Sequence, residues 1–368
     1  MPDLRPAQWT TLIRGLLATP SGDADQPFDT VVLETVSRDV AAGESEGPPL
    51  RIAPSSDADG ARDGLAAAVK AYEAEHGRKP RVVLLPEAAL RVIETSAPTD
   101  APLRNRVALV SGAAGAIGHA ICRALLNAGA CVAVTDLPGE RLDALVAELE
   151  PGADGRVMGA AVDVTDPASV AAGFDATTAR FGGVDILIAN AGIALARRLV
   201  DLDLGAFRRL ECVNVEGTLL TLAEAGRRLR LQGTGGDIVV MSTKNVPCPG
   251  AGFGAYSATK ASAHQLARIA SLEFAEFGVR VNMVSPDAVF GEGIHRSGLW
   301  AEVGPERMRA RGLDDAGLQE YYRNRNLLKA RVTARHVADA VLFFVTRKTP
   351  TTGATIPVDG GLPDATPR

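Results

Sequence analysis

Val107-Ala-Leu-Val-Ser-Gly-Ala-Ala-Gly-Ala-Ile-Gly118 decides how the chain is read. Its first four residues are apolar and fit a strand buried on both faces. A turn of small residues (111–118) follows and opens into a helical run over 119–128. Glycines here let the backbone turn tightly and bring N–H groups up to a pyrophosphate at a helix N-terminus. A glycine-rich turn alone is common and means only a turn. Placed between a strand and a helix, at the head of a regular series, it predicts a dinucleotide site lined by Gly112, Gly115, Ala116, Ile117 and Gly118.

The series continues outward from that turn. Strand-like runs at 107–110, 131–135, 159–164, 184–189, 237–241 and 279–284 alternate with helical stretches. A last strand near 354–358 follows a helix-like 333–345. The alternation predicts an α/β fold, a Rossmann-like doubly wound parallel sheet over residues 101–368. The second strand ends at Asp136, whose carboxylate can accept hydrogen bonds from the adenosine ribose and repel a 2′-phosphate. Thr135-Asp-Leu-Pro138 contains no Arg or Lys, and Arg141 is the nearest cation. NAD is therefore expected over NADP, with Leu137 beside the ribose and Asp163 and Val164 meeting the adenine.

Residues 1–100 have another texture and predict a small N-terminal α/β extension. Helix-like pieces at 9–17 and 64–76, a strand at 81–85 closed by Pro86 and a short helix over 87–94 surround a Gly-, Pro-, Ser- and Asp-rich loop at 43–60. A boundary falls at 95–102. No His, Cys or carboxylate cluster suggests chemistry, so the extension is read as non-catalytic, packing on the main domain or a neighbouring subunit.

Composition excludes several function classes. The net charge of −5 and 4% aromatic content supply neither a basic field nor stacking platforms for nucleic acid. No apolar run reaches the length of a membrane span, and the start carries no secretory signal. Cys122, Cys131, Cys212 and Cys248 lack metal-ligand spacing, so no metal site is expected, and reduced thiols point to the cytoplasm. Cys248 differs in lying in a Pro- and Gly-rich loop, though packing is still its expected role.

Tyr256-Ser-Ala-Thr-Lys260 opens a helical run to about residue 277. Residues four apart share a helix face, so a phenol and an ammonium project side by side. An adjacent cation favours the phenolate. On most helices such a pair is only two surface neighbours; behind a dinucleotide turn it predicts a proton-transfer device.

With these residues assembled, the chain from about residue 103 onward resembles the short-chain dehydrogenase/reductase family. The resemblance rests on ordered motifs: the turn at 111–118, Asp163-Val164, Asn190-Ala191-Gly192, Asn214, Ser242-Thr243, Tyr256-x-x-x-Lys260 and Ser285-Pro286. Ser111 stands where the family writes Thr, and Ala116 where it writes the middle Gly. The family's catalytic Ser lies thirteen positions before the Tyr, which here is Thr243, with Ser242 beside it. Adjacent strand residues face opposite ways, so one of the two should reach the site. Spacing favours Thr243; a local bulge would present Ser242.

The resemblance implies roles. Tyr256 would act as acid/base, Lys260 would lower the phenol pKa and hold the nicotinamide ribose, Thr243 would hold the substrate oxygen, and Asn214 would anchor a water relay. Asn190, Ala191, Gly192, Pro286, Ala288 and Val289 would complete the cofactor site. Within the family, Ser-Thr-Lys-Asn245, Ser-Pro-Asp287 and the residues around 321–326 and 352–361 are most similar to the dehydrogenase half of bifunctional rhamnulose-phosphate aldolase/lactaldehyde dehydrogenases. Residues 59–86 are similar to the tail of the aldolase half, as a reduced remnant.

Substrate contacts are expected from Ser242, Lys244, Asn245, Asp287 and Trp300, under a lid over 287–330 that also carries His295, Arg296, Tyr321, Tyr322 and Arg323. Its polar groups favour a hydroxylated or anionic small molecule. The function expected is an NAD-dependent alcohol dehydrogenase for a sugar, polyol, cyclitol or sugar-derived hydroxyaldehyde. Alternatives are a ketoreductase, an epimerase recycling its cofactor and, in another class, a non-catalytic dinucleotide-binding sensor or scaffold. The family resemblance implies a homodimer or homotetramer through helices near 205–230 and 256–277.

Overall fold

Seven parallel strands carry the larger part of the chain. The computed structural model describes residues 5–37, 47–52, 58–86, 88–292 and 295–363. Before the large sheet come α1 (Pro6–Leu17), β1 (Val32–Val36), β2 (Leu50–Arg51), α2 (Ala58–His76), β3 (Val82–Leu84) and β4 (Ala89–Ile93). The main series runs β5 (Val107–Ser111), α3 (Ala116–Asn127), β6 (Cys131–Asp136), α4 (Glu140–Leu149), β7 (Val157–Ala161), α5 (Pro167–Phe181) and β8 (Ile186–Ala189). It continues with α6 (Leu204–Glu211), α7 (Gly217–Gln232), β9 (Gly236–Met241), α8 (Gly254–Glu273), β10 (Val279–Pro286), α9 (Gly298–Arg311), α10 (Asp315–Arg325), α11 (Ala334–Val345) and β11 (Thr355–Val358).

The sheet order is β11-β10-β9-β8-β5-β6-β7, every pair parallel. Chain order reverses between β5 and β8, which opens a crevice at the strands' carboxyl ends. Helices cover both faces. Ile121 and Leu125 of α3, Leu142 and Leu145 of α4 and Val337 and Val341 of α11 pack on one side. Phe174 of α5, Leu222 and Leu229 of α7 and Ala267 of α8 fill the other. Local chemistry sets the helix ends: Asp166 caps α5 by accepting from the Ala168 N–H at 2.9 Å, Pro167 occupies its first turn, and Gly182 at φ 90° ends it.

Two strands begin or end differently from the sequence expectation. β7 stops at Ala161, because the Asp163 carboxylate accepts from the Thr165 N–H (2.9 Å) and hydroxyl (2.7 Å) and turns the chain. β8 begins at Ile186, after Asp185. The helix expected over 87–94 is corrected to a strand: Ala89–Ile93 pairs antiparallel with β1, Leu90 opposite Thr35. Glu87, at its expected start, lies outside the described residues, as does part of the 43–60 loop.

The first elements form a four-stranded sheet, β1-β4-β3-β2, with α1 and α2. Its core of Leu12, Ile13, Leu33, Val69 and Leu90 is joined by Leu231 of α7. At Gly15 a Cβ would collide with the Gln232 carbonyl, so glycine allows α1 to cross α7 backbone to backbone. Arg14, one residue before, reaches the foot of β8. Its Nη1 and Nη2 bond both oxygens of Asp185 at 2.8 and 2.7 Å, its Nε bonds the Val31 carbonyl at 2.6 Å, and both partners are 1% exposed. Burial alone would raise the Asp185 carboxyl pKa; Arg14, Arg106 and the Val107 N–H overcome it and hold it at about 2. Asp237, at the foot of β9, is likewise met by Arg106, Arg280 and Arg347. This charged floor lies at the strand ends opposite the crevice.

Candidate active site

The crevice is built from the turn after β5. Gly112 has φ 62°, and a Cβ there would lie 2.7 Å from the Ala191 Cα, while one at Gly118 would strike the Gly112 carbonyl. These two positions therefore require glycine. Gly115 does not: its φ is ordinary and a Cβ would meet nothing closer than 3.5 Å. Asn190 staples the turn, its Nδ2 donating to the Ser111 (3.0 Å) and Gly112 (2.8 Å) carbonyls. Ser111 acts in return, its Oγ accepting from the N–H groups of Asn190 (3.1 Å) and Ala191 (3.2 Å). Gly115 caps α3 without any side-chain bond, so the first N–H groups of α3 are left for an anionic guest. That cradle fits a dinucleotide pyrophosphate.

Asp136 sits beside the same turn, accepting from Ala114 N–H at 2.9 Å and Leu137 N–H at 2.8 Å. Arg141 bonds the Ala114 carbonyl at 2.9 Å, which places a cation closer to this corner than its sequence spacing suggested. Leu137, just past β6, is exposed, and Val164, in the turn after β7, is buried.

Across the crevice α8 presents its first turns. Tyr256 is buried with Ala194, Ala196 and Phe253 against Val303 of α9, and Thr243 lines the same cleft, close enough to favour the ionised phenol. Ser242 turns instead to His264, with Oγ 2.9 Å from Nδ1. Thr243 is thus the hydroxyl beside the phenol. Lys260 donates to the Met241 carbonyl at 2.9 Å. A Cβ on Gly192 would lie 3.1 Å from Lys260 Nζ and 3.2 Å from Asn214 Oδ1, so glycine lets the two polar groups meet there.

Asn214 rides a single π turn, Cys212–Glu216, inserted between α6 and α7. It is fully buried. Its Oδ1 accepts from Ile193 N–H at 2.9 Å, and its Nδ2 donates to the Ile193 carbonyl (2.9 Å) and to Thr259 Oγ1 (3.0 Å). The side chain is fully engaged in fixing the loop after β8 to α8.

Electrostatics here differ from the sequence expectation. Burial pushes the Tyr256 phenol up to about 12, with Thr243 acting against it, and burial lowers Lys260 to about 8. Desolvation outweighs the cation one turn away. An additional positive charge near the phenol would be needed to lower it.

The cleft above, about 370 Å³, brings together Ile117, Asn190 and Gly192, the Thr243–Tyr256–Lys260 set and residues 286–289. All five expected substrate residues, Ser242, Lys244, Asn245, Asp287 and Trp300, line it. Gly112, Gly115, Ala116, Gly118, Asp163 and Ala191 lie outside this cavity, in the turn after β5, the first turn of α3 and the segments after β7 and β8. Ala288 adopts φ 24°, a positive value unusual for a residue with a Cβ.

The segment expected as a lid carries two helices, α9 and α10, whose Trp300 and Tyr322 meet edge to face at 4.9 Å beside Phe290. Tyr321 and Tyr322 line the cleft, whereas Arg323 pairs with Glu320 at 2.7 Å on the surface. His295 also turns away, stacking on His119 at 3.6 Å and reaching Glu148 at 3.2 Å. His119, His295 and Glu148 form the group among the described residues whose ligand atoms lie close enough for a metal. Arg123 already engages that carboxylate oxygen. The Arg296 side chain is outside the described set. Sequence reading passed over Arg307, Arg311 and Arg325, all in the cleft wall; the four-residue spacing of the first two on a helix was the available signal. Cys248, expected to pack, lines the cleft as well.

Comparison with known proteins agrees with this architecture. The chain matches the short chain dehydrogenase family over residues 106–295. It is 36% identical over 273 residues to the uncharacterized oxidoreductase YuxG of Bacillus subtilis, covering 74% of this chain but only 39% of that protein. D-threitol dehydrogenase of Mycolicibacterium smegmatis is 38% identical over 55% of this chain and 78% of its own length. The structure of a sorbitol-6-phosphate 2-dehydrogenase from Erwinia amylovora superposes with a TM-score of 0.64 at 28% identity, covering 69% of this chain and 98% of that one. The chain belongs to the short-chain dehydrogenase/reductase family and is one of its oxidoreductases.

Proposed function

We propose that the chain is an NAD-dependent dehydrogenase interconverting a secondary alcohol and a carbonyl on a polyol, sugar or cyclitol. The convergence of Thr243, Tyr256 and Lys260 in one cleft, with Lys260 one turn along the helix from Tyr256, carries the reading. Tyr256 takes the hydroxyl proton in oxidation and returns it in reduction, while Thr243 donates to the substrate oxygen. The cofactor supplies the hydride acceptor or donor. Lys260, held by the Met241 carbonyl, gives the phenolate a cationic neighbour. Asn214 positions the loop at Ile193 that closes over Lys260.

The hydroxylated substrate is supported by Asn245. Its Oδ1 is buried in the cleft wall with no hydrogen-bond partner, an acceptor suited to a substrate hydroxyl. The D-threitol dehydrogenase relative acts on such a compound by its name. The narrower resemblance to lactaldehyde dehydrogenase halves adds sugar-derived hydroxyaldehydes to the class. NAD is favoured by Asp136 at the ribose corner, where Arg141 is already engaged by the Ala114 carbonyl. Half-exposed Leu219 on α7 and Ile269 on α8 suit a homo-oligomer through those helices. No helix among the described residues is long and apolar enough to cross a membrane.

The test is a polyol and sugar panel with NAD⁺ and NADP⁺, followed by the absorbance of the reduced cofactor. Tyr256→Phe should keep cofactor binding and lose about 10²–10⁴-fold in turnover. Full activity in that variant refutes the mechanism, and equal use of NADP⁺ refutes the cofactor choice.

A further inference from the structure

The cleft wall above the reacting end carries a charge imbalance. Lys244, Arg307, Arg311 and Arg325 line it, against a single lining carboxylate among the described residues, Asp287. That carboxylate is taken: Arg325 holds both its oxygens, Nη2 to Oδ2 at 2.7 Å and Nε to Oδ2 at 3.2 Å among the contacts. Lys244, Arg307 and Arg311 form no ion pair among the described residues, in a chain whose net charge is −5. Their arrangement is built. Arg307 and Arg311 share one face of α9, four residues apart, held over the rings of Phe253 and Tyr321, each at 4.7 Å. Arg307 Nη1 donates to the Ala251 carbonyl at 3.1 Å, while its Nε is buried without a partner. Lys244 comes from the opposite wall, nearly buried, with only a long 3.4 Å contact to the Cys248 carbonyl.

We propose that the substrate carries an anionic group, a phosphate monoester or a carboxylate, bound between Lys244 on the loop after β9 and the arginines of α9 and α10. The inference rests on the dehydrogenase reading and narrows its substrate from polyols in general to their charged derivatives. Like charges gathered in a partly desolvated cleft repel one another, and a bound anion converts that repulsion into attraction. Two effects show the cations acting on common ground. Burial and the repulsion of Arg325 lower the Lys244 pKa, and Tyr321 is lowered by its hydrogen bond to Arg311 with the charges of Arg325 and Arg307 adding to it. An anion would also draw α9 down over the cleft, because two of its ligands come from that helix and one from the fixed β9 side.

The experiment compares kcat/KM for an alditol, its terminal phosphate ester and the matching aldonate, with NAD⁺. The charged member should be preferred by at least about tenfold, and whichever of the two wins identifies phosphate or carboxylate. Lys244→Gln and Arg311→Gln should each cut that charged-to-neutral ratio about tenfold. In parallel, inorganic phosphate should raise the melting temperature of the wild type, and Arg311→Gln should diminish the shift. Equal use of neutral and charged members, with ratios unmoved in both variants, overturns the anion site while leaving the dehydrogenase reading intact. No turnover of any member, with phosphate still stabilising the wild type alone, retains the anion site and removes the polyol reading. Absence of both the preference and the phosphate shift overturns the proposal.

Discussion

Thr243→Ala is the substitution that most directly probes the site. Thr243 lines the cleft beside Tyr256, and in the proposed mechanism it meets the substrate oxygen that exchanges a proton with that phenol. A hydroxyl that meets developing negative charge in a water-poor cleft is worth about 10²–10³-fold in turnover. Thr243→Ala should lose that much in kcat, and Thr243→Ser, which keeps the donor, less than about tenfold. Ser242→Ala breaks the 2.9 Å bond to His264 Nδ1 instead. It should cost about 1 kcal/mol of stability and leave kcat within about tenfold. Initial rates of cofactor reduction at saturating cofactor, with urea midpoints for folding, separate the two effects. A larger kcat loss in Ser242→Ala than in Thr243→Ala would refute the assignment, for it would mean that the strand end presents its other face.

Other outcomes follow from the geometry. Gly192→Ala puts a methyl 3.1 Å from Lys260 Nζ and 3.2 Å from Asn214 Oδ1, so kcat should fall at least about tenfold with little change in melting temperature; unchanged kcat would show that neither group is positionally demanding. Arg14→Met strands the buried Asp185 carboxylate and should cost about 3–5 kcal/mol in urea unfolding, whereas a loss below about 1 would mean that Arg106 alone suffices. Asp185 also predicts acid sensitivity. Its folded pKa of about 2 lies below the ordinary 3.8, so its stabilising contribution of about 2 kcal/mol is present above that value and lost as pH falls toward 2. Melting temperature against pH, for wild type and Asp185→Asn, reads this directly; identical acid limbs would contradict it.

Much of this was legible in the chain. The strand–turn–helix at 107–118 announces itself because small residues are needed in one short window, and the structure shows why at Gly112 and Gly118. The family's spacing favours Thr243 over Ser242, and the structure turns Ser242 to His264. Residues 87–94 were not legible: Ala89, Leu90 and Ile93 suit a helix as well as a strand, and pairing with β1, more than fifty residues earlier, decides between them. Arg14 and Asp185 lie 171 positions apart, and nothing local in either marks the partner. Desolvation is equally invisible in sequence. Tyr256 and Lys260 look like a charge pair at four-residue spacing, yet their burial sets both pKa values. The convergence of Lys244 with Arg307 and Arg311 needed the lid to be folded back over β9.

The π turn at Cys212–Glu216 makes the shape of the site depend on a local change of helical pitch. It is one residue of surplus in an otherwise continuous helical path from Leu204 to Gln232. Each helical residue turns the path by about 100°. A single-codon deletion there would let the helix heal into ordinary α geometry while swinging Asn214 away from Ile193 and Thr259. The nucleotide cradle, built on the far side of the crevice, would survive. One inserted residue thus decides whether Asn214 reaches Ile193 and Thr259, independently of the turn that forms the nucleotide cradle.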